Sequence, residues 1–205
     1  MKTKILSIMA ILGLVLVMAG SGKAESLRGT ASTISTVLAD VSDFSKIEAR
    51  GNVEVYLTSG DVNRVKVYSN YYSENALVQN DNGVLRITSY KPQKLVVWVI
   101  VKDLREVALY DNAVVNSFGK LGALELNVNL HDNALANLKL DAISADITIN
   151  DRAMANLTGT ADDCRLTYNQ SATVNSVKFA SNHISRNVIS ACNVSKNTSQ
   201  QYAGL

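Results

Sequence analysis

Apolar and polar residues alternate with a period of two through most of the chain. Val53, Val55 and Leu57 fall on one side of an extended segment, and Glu54, Tyr56 and Thr58 fall on the other. Val65 and Val67 repeat the alternation after the turn residues Ser59-Gly60-Asp61. A strand with one buried face requires this pattern, because successive side chains point to opposite sides. Further on, Ala76-Leu77-Val78 and Val84 to Thr88 flank Asn80-Asp81-Asn82-Gly83. An Asn-Gly pair between strand-like runs predicts a hairpin, whose turn needs positive φ at both central residues. Residues 41–104 are therefore expected to form mainly antiparallel strands. Leu95 to Val101 is apolar nearly throughout, which predicts a strand buried on both faces.

From about Arg105 the alternation acquires a longer period. Tyr110-Asp111-Asn112-Ala113-Val114-Val115-Asn116 returns as His131-Asp132-Asn133-Ala134-Leu135-Ala136-Asn137, then as Asn150-Asp151-Arg152-Ala153-Met154-Ala155-Asn156, then as Asn169-Gln170-Ser171-Ala172-Thr173-Val174-Asn175. The starts lie 21, 19 and 19 residues apart. Preceding positions align too: Leu109, Leu130, Ile149 and Tyr168 form one column, and Val107, Val128, Ile147 and Leu166 another. A weaker fifth copy places Cys192 and Val194 under Ala172 and Val174. A period near 20 residues predicts stacked β-coils over residues 105–195, since no coil can bury its apolar side chains alone. Asn116, Asn137, Asn156 and Asn175 are expected to form an amide ladder, each side chain bonding to the coils above and below. The fold class expected is all-β: a right-handed β-helix or β-solenoid-like stack preceded by short antiparallel strands.

The N-terminus changes how the composition is read. Lys2 and Lys4 precede an apolar run from Ile5 to Met18, which ends in small residues up to Ala24. This is the plan of a cleavable export signal over residues 1–24, with the cut between Ala24 and Glu25. The run is shorter than the roughly 20 residues that a membrane-crossing helix needs, and no downstream segment is long and apolar enough to span. The whole chain has 20 basic and 18 acidic residues. Lys2, Lys4 and Lys23 leave with the signal, so 17 basic residues face 18 acidic ones in the mature chain. A near-neutral chain without a basic run argues against nucleic acid as a partner. Residues 25–40 read as a flexible N-terminal segment and 196–205 as a polar C-terminal tail.

The stretch "FSKIEARGNVEVYLTSGDVNRVKV" from Phe44, the segment "NGVLRITSY" from Asn82, and the repeats that follow resemble the "putative auto-transporter adhesin, head GIN domain" family of exported bacterial proteins. The resemblance covers roughly residues 40–195. It implies a right-handed β-helix-like fold at or beyond the inner membrane, periplasmic or on the cell surface, and it implies no established activity. The family's repeated corner is usually Ser-Gly-Ala-like. Arg152 departs most from it, because an arginine at positive φ is costly.

Candidate chemistry is sparse. Asp111, Asp132 and Asp151 occupy one column, so their carboxylates are expected about 5 Å apart. Three readings follow: each Asp caps its own turn, the column binds Ca²⁺, or it performs acid/base work on a polysaccharide. Gln170 in the fourth copy and the sameness of every coil favour the turn. His131 and His183 have no Cys or His at metal-ligand spacing, and His131 falls in an exposed corner column. Neither a Gly-x-Ser-x-Gly elbow nor a phosphate loop is present. No metal or cofactor is expected. Cys164 and Cys192 fall in different columns, which argues for two small inward fillers over a disulfide. Tyr56, Tyr68, Tyr71, Tyr72 and Tyr90 gather in the first half, several on the polar side of their strands, where they offer stacking surfaces for a sugar or a protein. The expected function is a non-enzymatic, adhesin-like module that binds a glycan or an envelope or matrix protein. A polysaccharide lyase or hydrolase and a purely structural or sensory envelope component are the alternatives.

Overall fold

The computed structural model describes residues 43–68 and 76–189, and the backbone of 35–38. The export signal, residues 25–34 and the tail with Cys192 lie outside the described residues, as do Tyr71 and Tyr72. Thirteen strands and no helix occur among the described residues: β1 (Ser35–Leu38), β2 (Lys46–Gly51), β3 (Val53–Ser59), β4 (Arg64–Tyr68), β5 (Ala76–Asp81), β6 (Val84–Ser89), β7 (Leu95–Val101), β8 (Glu106–Leu109), β9 (Val114–Ser117), β10 (Leu121–Leu130), β11 (Leu135–Ile149), β12 (Met154–Asn169) and β13 (Thr173–Ile189). They form one curled sheet around a single core. Because β1 pairs with β4, with Thr36 opposite Val67, the end of the segment expected to be flexible is a strand.

Pairing in the repetitive half is parallel and places like residues over like. Leu126 lies opposite Ala145 and Val128 opposite Ile147. Ala136 meets Ala155, and Ala145 meets Cys164. Ala113, Ala134 and Ala153 are fully buried where the coil turns sharply. At each such corner the alanine N–H donates to the carbonyl three residues earlier: Ala113 to Tyr110 at 3.1 Å, Ala134 to His131 at 3.0 Å, Ala153 to Asn150 at 3.1 Å. The left-handed residue is the aspartate, with φ of 59° at Asp111, 58° at Asp132 and 56° at Asp151. The concern over Arg152 is thereby removed. The costly conformation falls one position earlier, on a residue type that tolerates it.

The first half is a correction. Its core strands are parallel: β2 runs alongside β6 and β8, and β3 alongside β7 and β9. Antiparallel pairs are confined to the end of the stack, where β4 joins β7, β1 joins β4, and β5 joins β6. The hairpin between β5 and β6 turns on Asn82 (φ 52°) and Gly83 (φ 81°), as the Asn-Gly pair predicts. The coils do not follow chain order, however. β6 and β7 stack outside β2 and β3, and β8 and β9 return to the other side. Gly51 (φ 80°) is the corner between β2 and β3, so Gly51-Asn52-Val53 is a copy of Asp111-Asn112-Ala113 displaced by 60 residues. That spacing conceals it from a search for a period near 20.

Candidate binding face

Two ladders of side chains run across the coils. In the first, the Asp111 carboxylate accepts the Gly51 N–H at 3.1 Å. Asp132 accepts the Asp111 N–H at 3.0 Å, and Asp151 accepts the Asp132 N–H at 3.0 Å. Each aspartate thus tethers the preceding coil. The expectation that it caps its own turn is corrected, because the left-handed backbone aims the side chain along the stack. Beside this column Arg50 lies 3.7 Å over the Tyr110 ring, and Tyr110 stacks on His131 at 4.9 Å. No group of three or more His, Cys, Asp or Glu placed to hold a metal occurs among the described residues. The carboxylates' work here is hydrogen bonding, and this predicts a graded series at Asp132. Asp132→Asn, which keeps an acceptor and tolerates positive φ, should unfold within about 0.5 kcal/mol of wild type. Asp132→Gly should cost about 1 kcal/mol, and Asp132→Ala about 2 kcal/mol, since it also strains the backbone. Denaturant titration checks the order, and an Asn variant as weak as the Ala variant would show that charge matters instead.

The second ladder is of amides. Asn137 donates to Asn116 and Asn156 to Asn137, both at 2.7 Å. Asn116 donates to Glu54 at 2.9 Å, which carries the ladder back into the first half. Asn175 does not join it: its side-chain oxygen accepts the Val177 N–H at 3.4 Å. The pairing of β12 with β13 shifts register between Asn156 and Thr158, and the side chain turns to its own strand.

Both ladders border the outer side of β3, β7 and β9. Burial alternates along β7, with Leu95, Val97, Val99 and Val101 inside and Val96, Trp98 and Ile100 half-exposed. The expectation of burial on both faces is corrected, because nothing among the described residues covers this side of the sheet. Trp98 packs between Tyr56 (ring centroids 5.5 Å apart, planes at 17°) and Phe118 (5.4 Å, 57°). Phe118 is 64 % exposed. The Glu54 carboxylate accepts the Tyr56 hydroxyl at 3.0 Å and holds that phenol above its ordinary range. Tyr68 lies farther along, with the Lys66 ammonium 4.7 Å from its ring centroid. Tyr90 is exposed and apart from the triad. Sequence reasoning found Tyr56 and Tyr68 but missed Trp98 and Phe118. No local signal marked Trp98, because the run Leu95–Val101 is apolar at both parities and only the observed burial tells them apart.

A groove of about 570 Å³ lies elsewhere, lined by Glu125, Asp146, Asp163, Cys164, Arg165 and His183 among others. Two of its three carboxylates are paired, Asp146 with Arg165 at 3.2 Å and Asp163 with His183 at 3.2 Å. Burial pushes the Cys164 thiol up to about 11, far from the thiolate a nucleophile needs.

A family model described as "Putative auto-transporter adhesin, head GIN domain" matches residues 43–204. Solved structures share the fold at low identity. A "putative adhesin" from Bacteroides fragilis is 14% identical with a TM-score of 0.69, over 77% of this chain and 76% of that one. One from Parabacteroides distasonis is 15% identical with a TM-score of 0.59, over 77% and 78%. A "Putative lipid binding protein" from Parabacteroides distasonis is 11% identical with a TM-score of 0.60, over 76% and 78%. No curated protein matches the chain. The family model spans every strand of the sheet except β1, and the protein belongs to the "Putative auto-transporter adhesin, head GIN domain" family.

Proposed function

We propose that this protein is an exported, non-enzymatic binding module that holds a glycan against the outer side of β3, β7 and β9. The carrying observation is the triad itself: Trp98 wedged between Tyr56 and Phe118, with most of the Phe118 ring open to solvent. Rings fixed on a paired sheet lose little freedom when a ligand arrives, so their apolar area converts to affinity at low entropic cost. The apolar C–H face of a sugar suits such rings, and the Glu54 carboxylate lies beside them. Amphipathic rings of this kind are typical binding anchors. The reading extends to the setting. The charged, apolar and small-residue plan of residues 1–24 supports export to the periplasm or cell surface. The offsets of 19 to 21 residues support a right-handed β-solenoid for residues 105–189, which would serve as a stiff mount for the face.

Trp98 is the chain's one tryptophan, so its emission reports directly on this surface. Titration with a panel of soluble polysaccharides should shift the emission, and Phe118→Ala should weaken the binding about tenfold, or about 1.4 kcal/mol. Binding unaffected by Phe118→Ala would move the site elsewhere. The groove supplies the competing reading, a polysaccharide-cleaving enzyme with Asp146 and Asp163 as its acids. Cleavage of any panel member that is lost in Asp146→Ala, or in Asp132→Ala and Asp151→Ala, would overturn the binding reading.

A further inference from the structure

The charges that flank the triad are distributed unequally. The outer strand positions of this side carry Arg64 and Lys66 on β4, Lys139 on β11 and Lys178 on β13, with Lys94 at the start of β7. Against these five stand two carboxylates, and both are occupied. Tyr56 and Asn116 donate to one oxygen of Glu54 with Lys94 3.4 Å from the other, and Asp141, two residues beyond Lys139 on β11, pairs with Lys120 at 3.0 Å. Arg64, Lys139 and Lys178 form no ion pair among the described residues. On the wall across the core, which includes β2, β6 and β8, most charges cancel locally. Lys46 pairs with Glu106, Arg50 with Glu48, Arg86 with Asp81, and Arg165 with Asp146. A chain that is close to neutral overall thus folds into one largely self-neutralised side and one basic, aromatic side.

The cations also lie in line with the rings. Arg64 pairs with Ile100, and Ile100 with Thr58. The Phe118 N–H donates to the Leu57 carbonyl at 2.7 Å, which sets Phe118 beside Thr58. The Lys139 N–H donates to the Ser117 hydroxyl at 2.8 Å, and Lys139 pairs with Thr158, which pairs with Lys178. One row across the strands therefore reads Arg64, Ile100, Thr58, Phe118, Lys139, Thr158, Lys178. At the usual spacing between strands, six steps span roughly 29 Å. The unpaired cations stand at both ends of this row and the ring stands at its middle. The Thr58 hydroxyl oxygen in the same row is shielded from solvent and has no partner.

We infer that the ligand of this face is an anionic polysaccharide, carboxylated or sulfated, lying across the strands with a sugar on Phe118 and Trp98 and its acidic groups on Lys139, Lys178 and Arg64. The inference rests on the glycan reading above and adds the ligand's charge and direction. Complementary potential raises the encounter rate and selects against neutral and cationic partners. The length of the row fits an extended polymer better than a single small anion. Cations on an exposed sheet are screened by salt, so their share of the affinity must fall as ionic strength rises.

Emission titrations of the full chain with polygalacturonate, dextran sulfate and neutral dextran, each in low and high salt, test this. Binding to at least one of the two charged polymers is expected, weakened by salt, with neutral dextran bound at least tenfold more weakly; the stronger of the charged pair identifies the acid group. Lys139→Gln/Lys178→Gln should lower affinity for the charged polymer about tenfold and flatten its salt dependence, with the melting temperature unchanged because both side chains are exposed. Equal binding of dextran, or an unaltered double variant, overturns the anionic ligand and leaves the glycan reading intact. Vesicles of phosphatidylglycerol that bind where none of the three polymers does would overturn both, and so would the failure of all four probes.

Discussion

Replacement of Gly159 by alanine should destabilise the protein by about 3 kcal/mol or more, a drop of roughly 6–12 °C in melting temperature. Gly159 sits in the middle of β12 at φ 92°, and a Cβ there would meet the Leu140 carbonyl oxygen of the neighbouring coil at 2.0 Å. Neither atom can yield cheaply, because Leu140 pairs with both Leu121 and Gly159 inside the stack. Moving it would disturb two ladders at once. Gly122→Ala is the matched control: its φ is ordinary and an added methyl would meet nothing within 4 Å, so a change within about 0.5 kcal/mol is expected. Thermal melts of the two variants check the contrast. Equal melting temperatures would mean that the coils breathe enough at Gly159 to admit a methyl group.

Asn137→Ala should cost about 2–3 kcal/mol, although the side chain is only half-buried. Its amide both donates to Asn116 and receives from Asn156, each at 2.7 Å. Removal leaves an acceptor above and a donor below unpaired in a partly dry column, and an unpaired group costs more than the net worth of its bond. Asn175→Ala belongs to the same sequence column but should change stability by less than about 0.5 kcal/mol, because no bond joins it to Asn156 among the described residues. Denaturant midpoints of the pair measure whether the ladder is a property of the column or of the bonds. A large loss at Asn175 would show that the column matters beyond the bonds described.

The legible parts of this protein are those governed by short-range rules. Alternation at Val53-Glu54-Val55 marks a strand with one wet side, and Asn82-Gly83 marks a hairpin, each from a few adjacent residues. Like-over-like register in the repeats was readable because identical columns such as Ala134 and Ala153 can only be buried together if the coils align. The same logic failed for Gly51-Asn52-Val53. That corner belongs to the same stack, but the 60 residues before its next copy hold six strands, β3 to β8, two of which, β6 and β7, form the coil outside it. It failed also at Leu95–Val101, where an unbroken apolar run carries no mark of which parity faces water.

Strand identity, the coil length near 20 residues and the columns that fill the core were determined by the sequence itself, since they follow from backbone geometry and from neighbours at fixed spacing. Only the tertiary structure decided that Trp98 and Phe118 stay outside, that each Asp carboxylate serves the coil before its own, and that Arg64, Lys139 and Lys178 share one side. These depend on which strands become neighbours when β6 and β7 stack outside β2 and β3. The partners involved, such as Glu54 with Asn116 and Gly51 with Asp111, lie about 60 residues apart in the chain, beyond the reach of any local pattern.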